Sequence, residues 1–122
     1  MNKFTSLLVA AALLAPSTML SVPADASTFV AWQVRGVPWG DTLNARKYPS
    51  NVSQKQSAYP NGTVLQMTGR CTGGIDLADI STAPAKWQRK QVRTRWCEVW
   101  HSPAKNGAYT TGWVYGKFIA PY

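Results

Sequence analysis

Two cysteines, one histidine and five acidic side chains are the thiol, imidazole and carboxylate groups that the 122 residues offer for catalysis or metal binding. His101 is the lone histidine, so no histidine-based metal set can form. Beyond the N-terminal stretch the acids are Asp41, Asp76, Asp79 and Glu98. Asp76 and Asp79 lie three apart in a glycine-bearing stretch, a spacing open to a carboxylate pair but better suited to holding loop backbone. No G-x-S-x-G and no phosphate-cradling glycine loop is present. A small hydrolase would rest on Asp76, Asp79 and Glu98 alone. The chain reads as a binding protein, with no catalytic residue, cofactor or metal ligand assigned.

Binding chemistry is better represented. The chain holds six Trp and five Tyr. Trp39, Trp87, Trp96, Trp100 and Trp113 cannot all be fully buried in so small a core. Exposed aromatic faces suit peptides, sugars or bases. Tyr48, Tyr59, Trp96, Tyr109 and Tyr115 are candidates to line a groove, with core or rim packing as the competing reading. The segment Lys86 to Arg95 (KWQRKQVRTR) is the strongest charge feature. Read as an extended strand, it sets Arg89, Gln91, Arg93 and Arg95 on one face. Those guanidinium groups beside Trp87 and Trp96 would hold phosphate, carboxylate or an anionic glycan. The alternative is a solvated strand that resists edge-to-edge pairing.

The N-terminus bears on the compartment. Lys3, the apolar run Ser6 to Leu14 and Ala24-Asp25-Ala26 match a signal peptide cleaved before Ser27. Pro16 and Pro23 interrupt the run short of the roughly 20 apolar residues a span requires. The chain is therefore expected to be exported, to the periplasm or the medium, with no membrane span after cleavage. Residues 27–122 then form one small domain that keeps the formal net charge of +8, since residues 1–26 hold one Lys and one Asp. Such a charge favours anionic partners; export argues against nucleic acid. A core this small calls for a covalent staple. Cys71 and Cys97 are the expected disulfide, closing a loop of 26 positions in an oxidising compartment.

Short runs of strand character must position these residues. They are Thr28–Arg35, with Val30, Trp32 and Val34 on one face; a short strand or diverging turn at Asp41–Arg46; Thr63–Thr68, ended by Gly69; Gln91–His101; and Thr111–Val114, with Gly116–Ile119 closing the chain. Lys47–Pro60 reads as irregular, Asn61-Gly62 as a tight turn, Thr72–Lys86 as a long loop with one helical turn within 75–80, and Ser102–Thr110 as a hairpin loop. About five short strands favour a small all-β barrel, which leaves no long exposed edge.

Four motifs in this order resemble those of bacterial Src-homology-3-type (SH3-like) domains: Leu43-Asn44-Ala45-Arg46 with Pro49; Asn61-Gly62-Thr63 leading into a strand; Trp96-Cys97-Glu98-Val99; and Gly112-Trp113-Val114 with Phe118-Ile119. The match covers roughly residues 30–119. It implies an SH3-like barrel filled by Leu43, Leu65, Met67, Val99, Val114 and Ile119, with Asn44 serving local backbone hydrogen bonds and Gly112 permitting a tight approach. Lys47-Tyr48, the polar 53–59 segment and the long insertion between Cys71 and Trp96 depart from the pattern. The resemblance implies binding of wall peptides or polymers, and the chain is expected to be a monomeric, non-enzymatic binding module of the bacterial cell envelope, for peptidoglycan, another anionic envelope polymer or an envelope protein. A secreted effector or inhibitor acting on a host or competitor protein is the alternative. A fold shared by many activities does not choose between them.

Overall fold

A computed structural model describes residues 30–122. The expected signal segment and its cleavage site lie outside the described residues. Seven antiparallel strands form one sheet: β1 (Val30–Val34), β2 (Leu43–Arg46), β3 (Lys55–Tyr59), β4 (Val64–Cys71), β5 (Trp96–His101), β6 (Thr110–Tyr115) and β7 (Ile119–Pro121). One helix, α1 (Ala85–Val92), lies between β4 and β5, and short 3-10 turns occupy Thr72–Gly74 and Gly116–Phe118. The strand order is β3-β2-β6-β5-β4-β1-β7, so β3 and β7 are the two edges of an open sheet. The all-β class stands, with seven strands where about five were expected.

Period-2 alternation explains the core. Trp32 and Val34 on β1, Leu65 and Met67 on β4, Cys97 and Val99 on β5, and Val114 on β6 are all buried on one face. Trp32 pairs with Leu65, Met67 with Val99, and Val34 with Ile119. All six residues expected in the core are buried. Cys71 and Cys97 are bonded and stand opposite each other in the β4–β5 register. Among the described residues no helix is long and apolar enough to cross a membrane.

Three elements differ from the sequence reading. β4 runs through Gly69 to Cys71, because Gly69 takes a positive φ of 106° at a register shift. The loop then adds onto it: the Leu77 N–H donates to Gly69 O and the Cys71 N–H to Ile75 O. The segment 75–80 makes turns, not a helix, and seats Leu77 in the core.

The second difference is β3, in a segment read as irregular. It is an edge strand whose side chains are at most half-buried; backbone pairing with β2 and the Gln56 and Tyr59 contacts to His101 hold it without apolar alternation. The third is the basic strand, which does not exist as such. Residues 85–92 are helical, and the strand begins at Trp96. Gln88 and Val92, four apart, face the core, and the Gln88 amide donates to the carbonyls of Ala83 (2.7 Å) and Ser81 (3.3 Å). A polar residue on the buried face conceals the helical period, while alternating Arg and Gln imitate a strand.

Candidate functional site

The site is a groove of about 710 Å³ at one end of the sheet. One wall is aromatic. Trp96 on β5 and Tyr115 on β6 are directly paired in register, with ring centroids 5.3 Å apart. Phe118, in the 3-10 turn after β6, continues the wall at 6.5 Å from Tyr115. The rest of the lining comes from Pro38 and Asp41 in the loop before β2, from Asn44 and Arg46 on β2, and from the turn at Pro49–Asn51.

Local hydrogen bonds fix these walls. The Val37 N–H donates to Asn61 Oδ1 (3.0 Å), and the Asn61 amide donates to the Val37 carbonyl (2.8 Å). This double bond pattern pins the 36–42 loop to the turn before β4 and so places Pro38. Arg46 donates one guanidinium N–H to Ser53 O (2.8 Å). The Tyr48 N–H donates to Ser53 Oγ (2.9 Å), which holds the 48–53 turn closed.

The groove also carries polar groups with spare capacity. Among the described residues the Asn44 amide, the Trp96 indole N–H and the Tyr115 hydroxyl have no hydrogen-bond partner. Asn44 therefore does not serve the backbone as the resemblance implied; it lines the groove. Half-buried donors and acceptors left open beside aromatic faces are what orients an extended polar ligand. Trp39, next in the chain to the lining residue Pro38, is 100% exposed and does not line the groove.

The aromatic candidates do not share one groove. Trp96 and Tyr115 meet in it; Tyr48, adjacent to Pro49, stands exposed with Lys47 Nζ 5.7 Å from its ring centroid. Tyr59 and Tyr109 line a separate depression of about 440 Å³ with Trp100 and His101. Arg89 and Arg93 face a third, of about 410 Å³, against α1. Trp87 is on that helix, half-exposed. Arg95 is withdrawn from the others: its guanidinium donates to Gln91 O (2.9 Å) and Thr72 O (3.0 Å), bracing the chain between α1 and β5. Arg89, Arg93 and Arg95 thus form no row on a strand.

Asp76 and Glu98 have structural partners. Asp76 Oδ1 accepts the Ala78 N–H (2.9 Å), as loop capping requires. Glu98 accepts the Thr68 hydroxyl (2.9 Å) and pairs with Arg70 (3.6 Å). His101 is buried between β3 side chains. Its Nε2 lies 2.9 Å from Gln56 Oε1 and its Nδ1 2.7 Å from the Tyr59 hydroxyl. Nε2–H donates to Gln56 Oε1, and in the neutral ring Nδ1 accepts the Tyr59 hydroxyl proton. Burial lowers its pKa below the ordinary 6.5. Among the described residues no group of three or more His, Cys, Asp or Glu side chains gathers to hold a metal.

Phe118, Pro38, Asn44 and Arg46 are site residues that the aromatic and charge counts missed. The motif carrying Leu43-Asn44-Ala45-Arg46 was the available signal, since alternation along β2 turns Asn44 and Arg46 away from the core that buries Leu43 and Ala45. No family model, characterised protein or solved structure matches this chain.

Proposed function

We propose that the protein is an exported, non-enzymatic binding module of the bacterial cell envelope, and that its ligand is the peptide part of peptidoglycan, held extended in the Trp96–Tyr115–Phe118 groove. The observation that carries this reading is the pairing of a continuous aromatic wall with open polar groups on Asn44, Trp96 and Tyr115. Flat aromatic faces take the apolar stretches of an extended chain, and the open groups take its amides. Asp41 and Arg46 put one charge of each sign in the groove, which suits a peptide bearing both amine and carboxylate.

The fold belongs to the same proposal. The sheet is read as an opened SH3-like barrel, in which Gln56 and Tyr59 on edge strand β3 reach across two strands to His101. Export is supported by the disulfide, which persists in oxidising compartments, and by the signal-like N-terminal sequence.

The test is retention of the purified, oxidised chain on insoluble peptidoglycan at low and high salt. Wild-type protein should be retained at both, because a packed aromatic contact is little screened. Trp96→Ala and Tyr115→Ala should each weaken retention about tenfold or more, as truncation of buried aromatic anchors does. No retention of wild type at either salt concentration rejects the wall ligand and leaves a protein partner as the reading.

A further inference from the structure

Helix α1 carries a second surface that the groove does not use. Lys86, Arg89, Lys90 and Arg93 fall at i, i+3, i+4 and i+7, so they form one stripe, opposite the buried Gln88 and Val92. All four are exposed. Lys117 joins them across a depression of about 410 Å³ floored by Gly116 and Ile119, and no acidic residue lines it. Among the described residues none of the four helix cations makes a side-chain hydrogen bond or ion pair, and the one ion pair is Arg70–Glu98.

Helix stability does not account for this stripe. Like charges three and four residues apart destabilise a helix. Arg89 and Lys90 in the last turn suit the helix dipole, but Lys86 in the first turn opposes it, and no acid there offsets it. Five cations converging on one concavity, without internal counter-charge, favour an external anion. Trp87 follows Lys86 about 100° round the helix and is 45% exposed. A hydrophilic phosphate polymer offers no apolar region for that indole. The boundary between lipid headgroups and acyl chains does, and it is where Trp beside long basic side chains settles.

We propose that the Lys86–Arg89–Lys90–Arg93 face, with Lys117, docks onto the phosphate headgroups of an anionic membrane surface, Trp87 entering the interface. The 3-10 turn Gly116–Phe118 gives Lys117 to this face and Phe118 to the aromatic groove, and the two sites share no side chain. Membrane docking therefore leaves the groove open to a second ligand. The inference stands apart from the wall-binding reading, since vesicles contain no wall polymer.

The experiment is co-sedimentation of the oxidised chain with phosphatidylcholine vesicles with and without phosphatidylglycerol. Each basic residue near an anionic surface contributes about fivefold in partitioning. Lys86→Gln/Lys90→Gln/Arg93→Gln should therefore lower binding to the anionic vesicles roughly a hundredfold relative to wild type in the same chain. The melting temperature should not fall, because Gln is a good helix former and the repulsion is relieved. Lys47→Gln/Lys55→Gln/Lys105→Gln removes the same charge elsewhere and should cost far less. Trp87→Ala should weaken vesicle binding while leaving any contact with soluble glycerol phosphate unchanged. Equal losses in the two triple variants would reduce the effect to net charge and overturn the site. Binding to soluble polyphosphate without binding to anionic vesicles, or to neither, would overturn the membrane ligand.

Discussion

Acid should loosen this fold through one proton on His101. Gln56 and Tyr59 stand on β3, an edge strand that pairs only with β2, yet both reach His101 on β5, with β2 and β6 between. The crossing is possible because Gly112 on β6 has no side chain. A Cβ there would lie 2.6 Å from Gln56 Oε1 and 2.7 Å from His101 Nε2. Burial lowers the His101 pKa from 6.5, so the unfolded chain takes up the proton first as the pH falls. Above about 6.5 both states are neutral and the contribution is complete. From there down to the folded-state pKa, stability falls by at most about 1.4 kcal/mol per pH unit; below it, this proton has no further effect. Urea unfolding followed by Trp fluorescence between about pH 8 and pH 5 reads the slope. His101→Gln should abolish the slope in that window and cost about 1–3 kcal/mol at pH 8, as two hydrogen bonds are lost and partners are left unsatisfied. Gly112→Ala should cost a similar amount by forcing Gln56 and His101 apart. Equal slopes in wild type and His101→Gln would refute the assignment of the proton to this residue.

Other substitutions probe the remaining supports. Reducing the Cys71–Cys97 bond should cost about 3.5 kcal/mol in the chain-entropy account of its loop. In a domain of this size that lowers the melting temperature by about 15–25 °C, read by thermal melts with and without reductant. Asn61→Ala removes both bonds to Val37; it should cost about 1–2 kcal/mol and weaken ligand binding in the groove, because Pro38 loses its anchor. Gly116→Ala should cost at least about 2–3 kcal/mol in chemical denaturation, since its Cβ would collide with the Val92 carbonyl and approach Arg95 O to 2.9 Å. Both obstacles are backbone, which no rotamer change relieves.

Much of the core was legible because alternation in β1, β4, β5 and β6 survives in the sequence. Trp32, Leu65, Val99 and Val114 each stand at the centre of an apolar–polar rhythm and each is buried. The disulfide followed from two cysteines alone. Where side-chain polarity and burial part company, the sequence misled. Gln88 is buried by bonding loop carbonyls, so α1 read as a strand. β3 is held by backbone pairing with β2 and by Gln56 and Tyr59 bonding His101, so its mostly polar side chains gave no alternation signal. Gly69 extends β4 where a glycine usually ends a strand. The site was half legible: Trp96 and Tyr115 were named from composition, but their pairing depends on the β5–β6 register. Tyr59 and Tyr109 were drawn to the same groove by type, and the curl of the sheet takes them elsewhere.

The central claim is that the groove, and not the basic helix, recognises the peptide part of the wall. Titrating isotopically labelled protein with soluble peptidoglycan fragments and following backbone amides and indole N–H signals by NMR tests it directly. Saturable shifts should cluster at Asn44, Arg46, Trp96, Tyr115 and Phe118, with the indole of Trp96 moving and that of Trp87 still. Shifts confined to α1, or none at fragment concentrations well above the protein's, would contradict it.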